Sequence, residues 1–284
     1  MIRLFTDTSA NLPHELIEKN QITVLPFSYT VNGKAVDYPE DRDFDGKAFY
    51  EAMRNGDEIK TSMVNEALFL NAFEPCLQAG DSVLYVGMSG GISGTAACAK
   101  TAAQELLEKY PSAEIATVDT FAASLGEGMQ VLDAAALIEK GKAFWEIVET
   151  IQAGKKRMHQ FFTVEDLNYL KKGGRLSSAA AFVGNILSIK PILKGNEVGQ
   201  IVMCGKTRGF KKALDALAEK FSEMATDKSA PVGIAHADNE EGLAYLLEKL
   251  KEHAFTGKLL PVMYEPVTGS HVGPGTVALF FYGD

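Results

Sequence analysis

Ser89 and Ser93 lie in the stretch Gly87-Met88-Ser89-Gly90-Gly91-Ile92-Ser93-Gly94-Thr95, directly before the alanine-rich run Ala96-Ala97-Cys98-Ala99. Three chemistries compete for such a segment. Gly87-Met88-Ser89-Gly90-Gly91 satisfies the Gly-x-Ser-x-Gly pattern of a hydrolase nucleophile elbow, with Asp119 or Asp238 and then His271 following in the order Ser, Asp, His. An elbow, however, starts its helix directly after the serine, and here two glycines and Ile92 intervene. A phosphate-binding P-loop requires Gly-Lys-Ser/Thr after its glycines, which this stretch lacks. A carboxylate-binding loop requires only hydroxyls and backbone N–H donors at a helix start, and Ser93 and Gly94 stand where such a helix begins. Ser93 is also a good N-cap, worth about 1 kcal/mol to the helix, and the two roles are compatible.

Two further segments carry polar groups suited to an anion. Lys60-Thr61-Ser62-Met63-Val64 places two hydroxyls just before a predicted helix, where they read as a capping pair or as a second set of anion donors. Gly269-Ser270-His271-Val272-Gly273-Pro274-Gly275 surrounds a histidine with turn-forming residues and reads as a rigid turn before the last strand. His271 there is either a satisfied structural group or a hydrogen-bond donor to a carboxylate. His14, His159, His236 and His253 are too far apart to form a metal-ligand spacing, and no metal is expected. Cys76, Cys98 and Cys204 show no CxxC spacing and read as free thiols in buried, small apolar positions.

These residues need a scaffold that delivers loops to one end of a sheet. Apolar, β-branched runs alternate with helical patterns, the sign of βα units feeding a largely parallel sheet. Strands are predicted at 2–7, 22–31, 82–88 and 114–120, and helices at 12–20, 45–56, 65–80, 94–110, 126–141 and 143–157. Past a composition change near 155–160, strands are predicted at 159–164, 189–195, 199–207, 231–238, 258–267 and 275–283, and helices at 164–172, 178–187, 208–226 and 239–253. The expected organisation is an N-terminal α/β domain over 1–157 and a C-terminal α/β domain over 158–284. In that arrangement the 87–95 stretch joins the carboxyl end of a strand to a helix, the end at which open α/β sheets bind ligands.

The chain has 284 residues, 46% hydrophobic and 23% charged, enough for a sizeable core and most simply for two modest domains. No apolar run approaches the ~18 residues that span a bilayer. The N-terminal segment meets Asp7 before any signal-peptide core is complete, so a cytoplasmic protein without stable membrane insertion is expected. The net charge of −9 hides an asymmetry, with 11 Lys+Arg against 23 Asp+Glu in residues 1–154 and 17 against 14 in residues 155–284. Between Lys155 and Lys212, 12 basic residues face only Glu165, Asp166 and Glu197. That region reads as a solvated face or as a docking surface for an acidic or phosphorylated partner. Nucleic acid is not expected, because the acidic half would repel it and no recognition signature is present.

Taken in order, "DTSANLP", "KTSMV", "SGGISGT", "VDT" with "SLGEG", "LNYLKKGGRLS", "SIKPIL", "KTRGFKKAL" and "HVGPG" resemble the DegV family of fatty-acid-binding proteins from near residue 3 to near residue 280. Gly173-Gly174-Arg175 followed by Ile189-Lys190-Pro191-Ile192-Leu193 is the most distinctive part. The resemblance implies two α/β domains with one long-chain fatty acid bound between them and no catalysis by the chain itself. It implies a partner fatty acid kinase, to which the acid is presented for acyl phosphate formation in phospholipid synthesis. Residue by residue, it assigns the carboxylate site to Thr61 and Ser93 with the adjoining Ser62 and Gly94, and matches His271 to the histidine of the closing glycine-rich turn. It also matches Arg175 to the Gly-Gly-Arg motif, and Lys206 and Arg208 to the Lys-x-Arg motif, both linked to kinase engagement. The sequence departs from the family where relatives carry Ser-Ser-x-Leu-Ser-Gly-Thr-Tyr-Gln-Ser-Ala and Thr-Ser-x-Pro-Ser. Here these read Ser89-Gly90-Gly91-Ile92-Ser93-Gly94-Thr95-Ala96-Ala97-Cys98-Ala99 and Thr61-Ser62-Met63-Val64-Asn65, which leaves the carboxylate donors and changes the shape around them.

Overall fold

The computed structural model describes residues 1–36, 44–176 and 188–284; the helix expected at 178–187 lies outside the described residues. In chain order the elements are β1 (Ile2–Asp7), α1 (His14–Lys19), β2 (Thr23–Leu25), β3 (Ser28–Val31), β4 (Lys34–Val36), α2 (Gly46–Arg54), β5 (Ile59–Ser62), α3 (Glu66–Gln78), β6 (Ser82–Gly87), α4 (Thr95–Lys109), β7 (Ile115–Asp119), α5 (Leu125–Glu139) and α6 (Phe144–Gly154). They continue with β8 (Met158–Thr163), α7 (Asn168–Lys172), β9 (Ile189–Gly195), β10 (Ile201–Arg208), α8 (Phe210–Met224), β11 (Val232–His236), α9 (Glu240–Glu252), β12 (Leu259–Met263), α10 (Pro266–Val272) and β13 (Val277–Tyr282). The strand expected over 22–31 is split into β2 and β3 around Pro26, whose ring removes the N–H that a continuous ladder would use.

The chain divides into two compact units, the first comprising Met1–Phe44 and Lys60–Lys156 and the second Asp45–Ile59 and Arg157–Asp284. This differs from a single cut after residue 157, because α2 groups with the C-terminal half. Tertiary burial is the cause. Tyr50 of α2 is fully buried, its hydroxyl donating to Tyr264 O at 2.7 Å, and Arg54 pairs with Asp238 at 2.5 Å. A tyrosine hydroxyl taken out of water needs such an acceptor, and the chain nearest in sequence does not supply it.

In the first unit a fully parallel sheet of order β2-β1-β6-β7 is flanked by helices. Its central strands are buried, and α3 places Phe73 edge-on to Phe5 at 5.0 Å and Phe69 edge-on to Tyr85 at 5.0 Å. The small residues Ala99, Ala102 and Ala103 make up much of the buried stripe of α4. A second sheet of this region has the order β4-β3-β5.

The second unit is built on a mixed sheet of order β10-β9-β8-β13-β11-β12, in which β11 and β12 run parallel and the other pairs run antiparallel. Leu214, Leu217 and Phe221 of α8 and Leu246 and Leu250 of α9 bury their apolar stripe against Phe161, Ile234, Leu279 and Phe281 of the strands. The strand expected over 258–267 stops at Met263, because Glu265 and Pro266 begin a helix. Of the cysteines, Cys76 and Cys98 are half-buried and Cys204 is exposed on β10, so the expectation of buried apolar positions fails while all three are free thiols.

Candidate functional site

β6 runs between β1 and β7 and hands over to α4 at the carboxyl edge of the parallel sheet, so residues 88–94 form the loop at that edge. Two strand-end carboxylates hold the loop. Asp7, at the end of β1, accepts from Met88 N–H at 3.3 Å. Asp119, at the end of β7, accepts from Gly90 N–H at 3.0 Å through Oδ2 and from Phe121 N–H at 2.9 Å through Oδ1. A Cβ on Gly90 would stand 2.8 Å from Asp119 Oδ2, so glycine is required there for close approach. Ser89 N–H donates to Ala122 O at 2.8 Å, and Ser93 N–H closes the turn on Ser89 O at 3.1 Å.

Ser89 is fully buried, and its Oγ accepts from Gly91 N–H at 3.1 Å. An elbow nucleophile instead presents an exposed hydroxyl on a strained backbone. The two acids considered for a triad are engaged elsewhere, Asp119 with the loop amides and Asp238 with Arg54. Ser93 is half-buried, and its Oγ lies 2.9 Å from Thr95 Oγ1 and accepts from Thr95 N–H at 3.3 Å. Gly94, not Ser93, occupies the cap position of α4, with φ −73° and ψ −5° and no side-chain cap. Ser93 therefore approaches the helix start from one residue further out. The first-turn amides of a helix carry partial positive charge whatever residue caps it, so this position suits an anion.

Thr61 and Ser62 lie on β5, Thr61 half-buried and Ser62 exposed. They do not cap α3. That role falls to Asn65, whose side chain accepts from Leu68 N–H at 3.0 Å. The chain just after them reaches the serine loop, since a Cβ on Gly94 would lie 2.6 Å from Met63 Sδ. Within the first unit, then, the segment following Thr61 and Ser62 packs on the residue next to Ser93.

In the second unit His271 is on a helix, not in the expected turn. Glu265 caps α10 by accepting from Val267 N–H and Thr268 N–H, each at 2.6 Å, and Pro266 sits at the first helical position. Glu-Pro was the available sequence signal, masked by the glycines that follow it. His271 packs against Gly173, where its ring fills the space a Cβ would need. Arg175 closes back on the same turn, donating from Nη1 to Gly173 O. Burial, helped by the positive charge of Arg175, pushes the His271 imidazole down to about 4, so it is neutral at physiological pH. Lys206 and Arg208 are exposed on β10, the edge strand of the mixed sheet. Asp7 and Tyr85, which a reading of the sequence for serines and histidines passes over, bond to each other at 2.5 Å behind the serine loop. Among the described residues no cluster of His, Cys, Asp and Glu could hold a metal ion, and no helix is long and apolar enough to cross a membrane.

A family model described as "uncharacterised protein, DegV family" matches residues 1–284. A DegV domain-containing protein of Clostridium perfringens is 38% identical over 282 residues, covering 99% of this chain and 97% of that one. The protein DegV of Bacillus subtilis is 32% identical over 287 residues, with 98% of each chain covered. Among solved structures, a fatty-acid-binding DegV family protein of Streptococcus agalactiae superposes with a TM-score of 0.88 at 32% identity, over 100% of this chain and 99% of that one. A DegV family protein of Thermus thermophilus, described for its fatty acid binding, gives a TM-score of 0.89 at 29% identity over 100% and 99% of the two chains.

Proposed function

This chain belongs to the DegV family, and from that premise we propose that it binds one long-chain fatty acid, with Thr61 and Ser93 as donors to the carboxylate. The observation that carries the reading is the serine loop. Its only half-buried serine hydroxyl sits at the start of the 15-residue helix α4, in a backbone held by Asp7 and Asp119, next to the chain that follows Thr61. Such a site orients an anion without attacking it. The affinity comes from the acyl chain: about 16 carbons at ~0.8 kcal/mol per CH₂ give a gross gain on the order of 10 kcal/mol before ordering costs. Ser62 and Gly94 adjoin the two donors and shape the approach to them. A neutral His271 can donate a hydrogen bond to a carboxylate, which supports the ligand role the family pattern assigns to it.

The same reading makes the chain a carrier, not an enzyme, presenting the acid to a partner fatty acid kinase in lipid metabolism. Arg175, Lys206 and Arg208 are the basic residues proposed to engage that partner, and the exposure of Lys206 and Arg208 on an edge strand supports this. The binding reading is favoured over a serine hydrolase using Ser89 with His271, because Ser89 is buried with its hydroxyl turned into the loop. Native mass spectrometry of the freshly purified protein, followed by solvent extraction, tests the proposal. One fatty acid bound per chain is the expected result. A chain that emerges empty, ignores added oleic acid and reacts at Ser89 with a fluorophosphonate probe would overturn it.

A further inference from the structure

Behind the serine loop two buried acids meet on one serine hydroxyl. Asp7 ends β1, Ser9 follows in a single turn of 3-10 helix (Thr8–Ala10), and Glu127 stands in the first turn of α5; all three are fully buried. Ser9 Oγ is 2.5 Å from Asp7 Oδ1 and 2.6 Å from Glu127 Oε2. A serine hydroxyl has one hydrogen and can donate it to one of these oxygens only. If both carboxyl groups were ionised, the other oxygen would face Ser9 Oγ with no hydrogen between two lone-pair-bearing atoms. At that separation a second hydrogen is required, and it has to reside on a carboxyl group.

Four further donors leave that hydrogen count unchanged. Tyr85 Oη from β6 donates to Asp7 Oδ2 at 2.5 Å, Ser9 N–H to Asp7 Oδ1 at 2.9 Å, Met88 N–H to Asp7 Oδ2 at 3.3 Å, and Thr6 Oγ1 from β1 to Glu127 Oε1 at 3.1 Å. The charged groups acting on Tyr85 among the described residues are Asp7, Glu127 and Asp119, all acidic. Lys155, the cation on the Asp119 side, is engaged with Asp119 O at 3.3 Å and the Phe121 ring at 3.9 Å. Burial raises the pKa of Asp7, against the opposing effect of the hydrogen bonds from Ser9, Tyr85 and Met88. Two negative charges buried side by side are unfavourable, and uptake of one proton relieves them.

We propose that Asp7 and Glu127 share one proton at neutral pH across Ser9 Oγ, and that this pair positions the 88–94 loop through the Met88 N–H bond to Asp7. The proton belongs to the pair and titrates as such. Loss of the proton places a second charge in the cluster, and repulsion between the two carboxylates displaces Asp7 and with it the loop amide it holds. The effect of that loosening on lipid rests on the fatty-acid reading; the shared proton does not.

Urea unfolding of the full chain between about pH 5 and pH 8 tests the proton. In the unfolded chain both acids are ionised across that window, so the native state holds one extra proton and the folding equilibrium falls about tenfold per pH unit on its account. Glu127→Gln can donate an amide hydrogen to Ser9 Oγ and is expected to remove one proton from this slope. An unchanged slope overturns the proposal. The infrared carbonyl band of a protonated carboxyl group in the wild-type protein at neutral pH keeps the test open if the variant fails to fold, and absence of that band is equally fatal. Titration with oleic acid tests the positioning. Affinity is expected to fall at alkaline pH in the wild type and less so in Glu127→Gln, while identical pH profiles refute the link to the loop. A wild-type chain that ignores oleic acid at every pH refutes the fatty-acid reading and leaves the proton measurement to stand by itself.

Discussion

The neutral imidazole of His271 makes the second unit acid-sensitive by an amount that can be worked out. A histidine in the unfolded chain titrates near 6.5, whereas burial and the Arg175 charge hold His271 at about 4. Folding therefore keeps this group neutral, its contribution is complete above about pH 6.5, and it is lost as pH falls toward 4 because the unfolded state gains a proton the native state refuses. The full depression corresponds to about 3 kcal/mol, of which about 2 kcal/mol is already lost at pH 5. His159 and His236 are shifted in the same direction by burial, so the wild-type curve alone does not isolate the term. The difference between wild type and His271→Asn does. Urea unfolding of both proteins at about pH 8 and pH 5 is expected to show the wild type losing about 2 kcal/mol more than the variant over that interval. Arg175→Gln removes the second cause and is expected to narrow that gap. Equal losses in wild type and His271→Asn would refute the assignment of a neutral, half-buried His271.

Other perturbations separate binding from stability. Ser93→Ala removes one hydroxyl proposed to bond a carboxylate and is expected to weaken oleic acid binding by about tenfold to a hundredfold, with about 1 kcal/mol lost in urea unfolding as the bond from Thr95 N–H goes. Ser89→Ala is expected to leave no residual serine chemistry to abolish, so fluorophosphonate labelling should be absent in the wild type and the variant alike. Gly128→Ala would drive a Cβ into Ala10 O, with Leu12 Cδ2 only 2.8 Å away, and is expected to lower the unfolding free energy by about 1–3 kcal/mol, the scale of an overpacked core. On the proposed carrier reading, Arg175→Glu is expected to abolish acyl phosphate formation by a partner kinase while the extracted lipid remains one per chain. Full acyl phosphate formation with that variant would remove Arg175 from the proposed docking residues.

Much of this protein is legible along the chain because the deciding forces are local. The parallel sheet of the first unit follows from alternating apolar runs and helical stripes, and the residues of α4 announce themselves by alanine spacing alone. The order of these short motifs suffices to suggest the family, and several of them mark a turn or a helix start that a given backbone demands. Where two local signals conflict, the sequence misleads. The glycines around His271 outweigh Glu265-Pro266 in a linear reading, yet the carboxylate that accepts both Val267 and Thr268 amides makes α10 a helix. Asn65, standing closer to α3, takes the cap from Thr61 and Ser62. Other features depend on partners distant in sequence and had no local signal. Tyr50 joins the second unit because its acceptor is Tyr264 O, more than two hundred residues away. Asp7, Ser9 and Glu127 look like an ordinary strand end and an ordinary first helical turn, and only folding brings two acids onto one serine hydroxyl, where the count of hydrogens decides their charge.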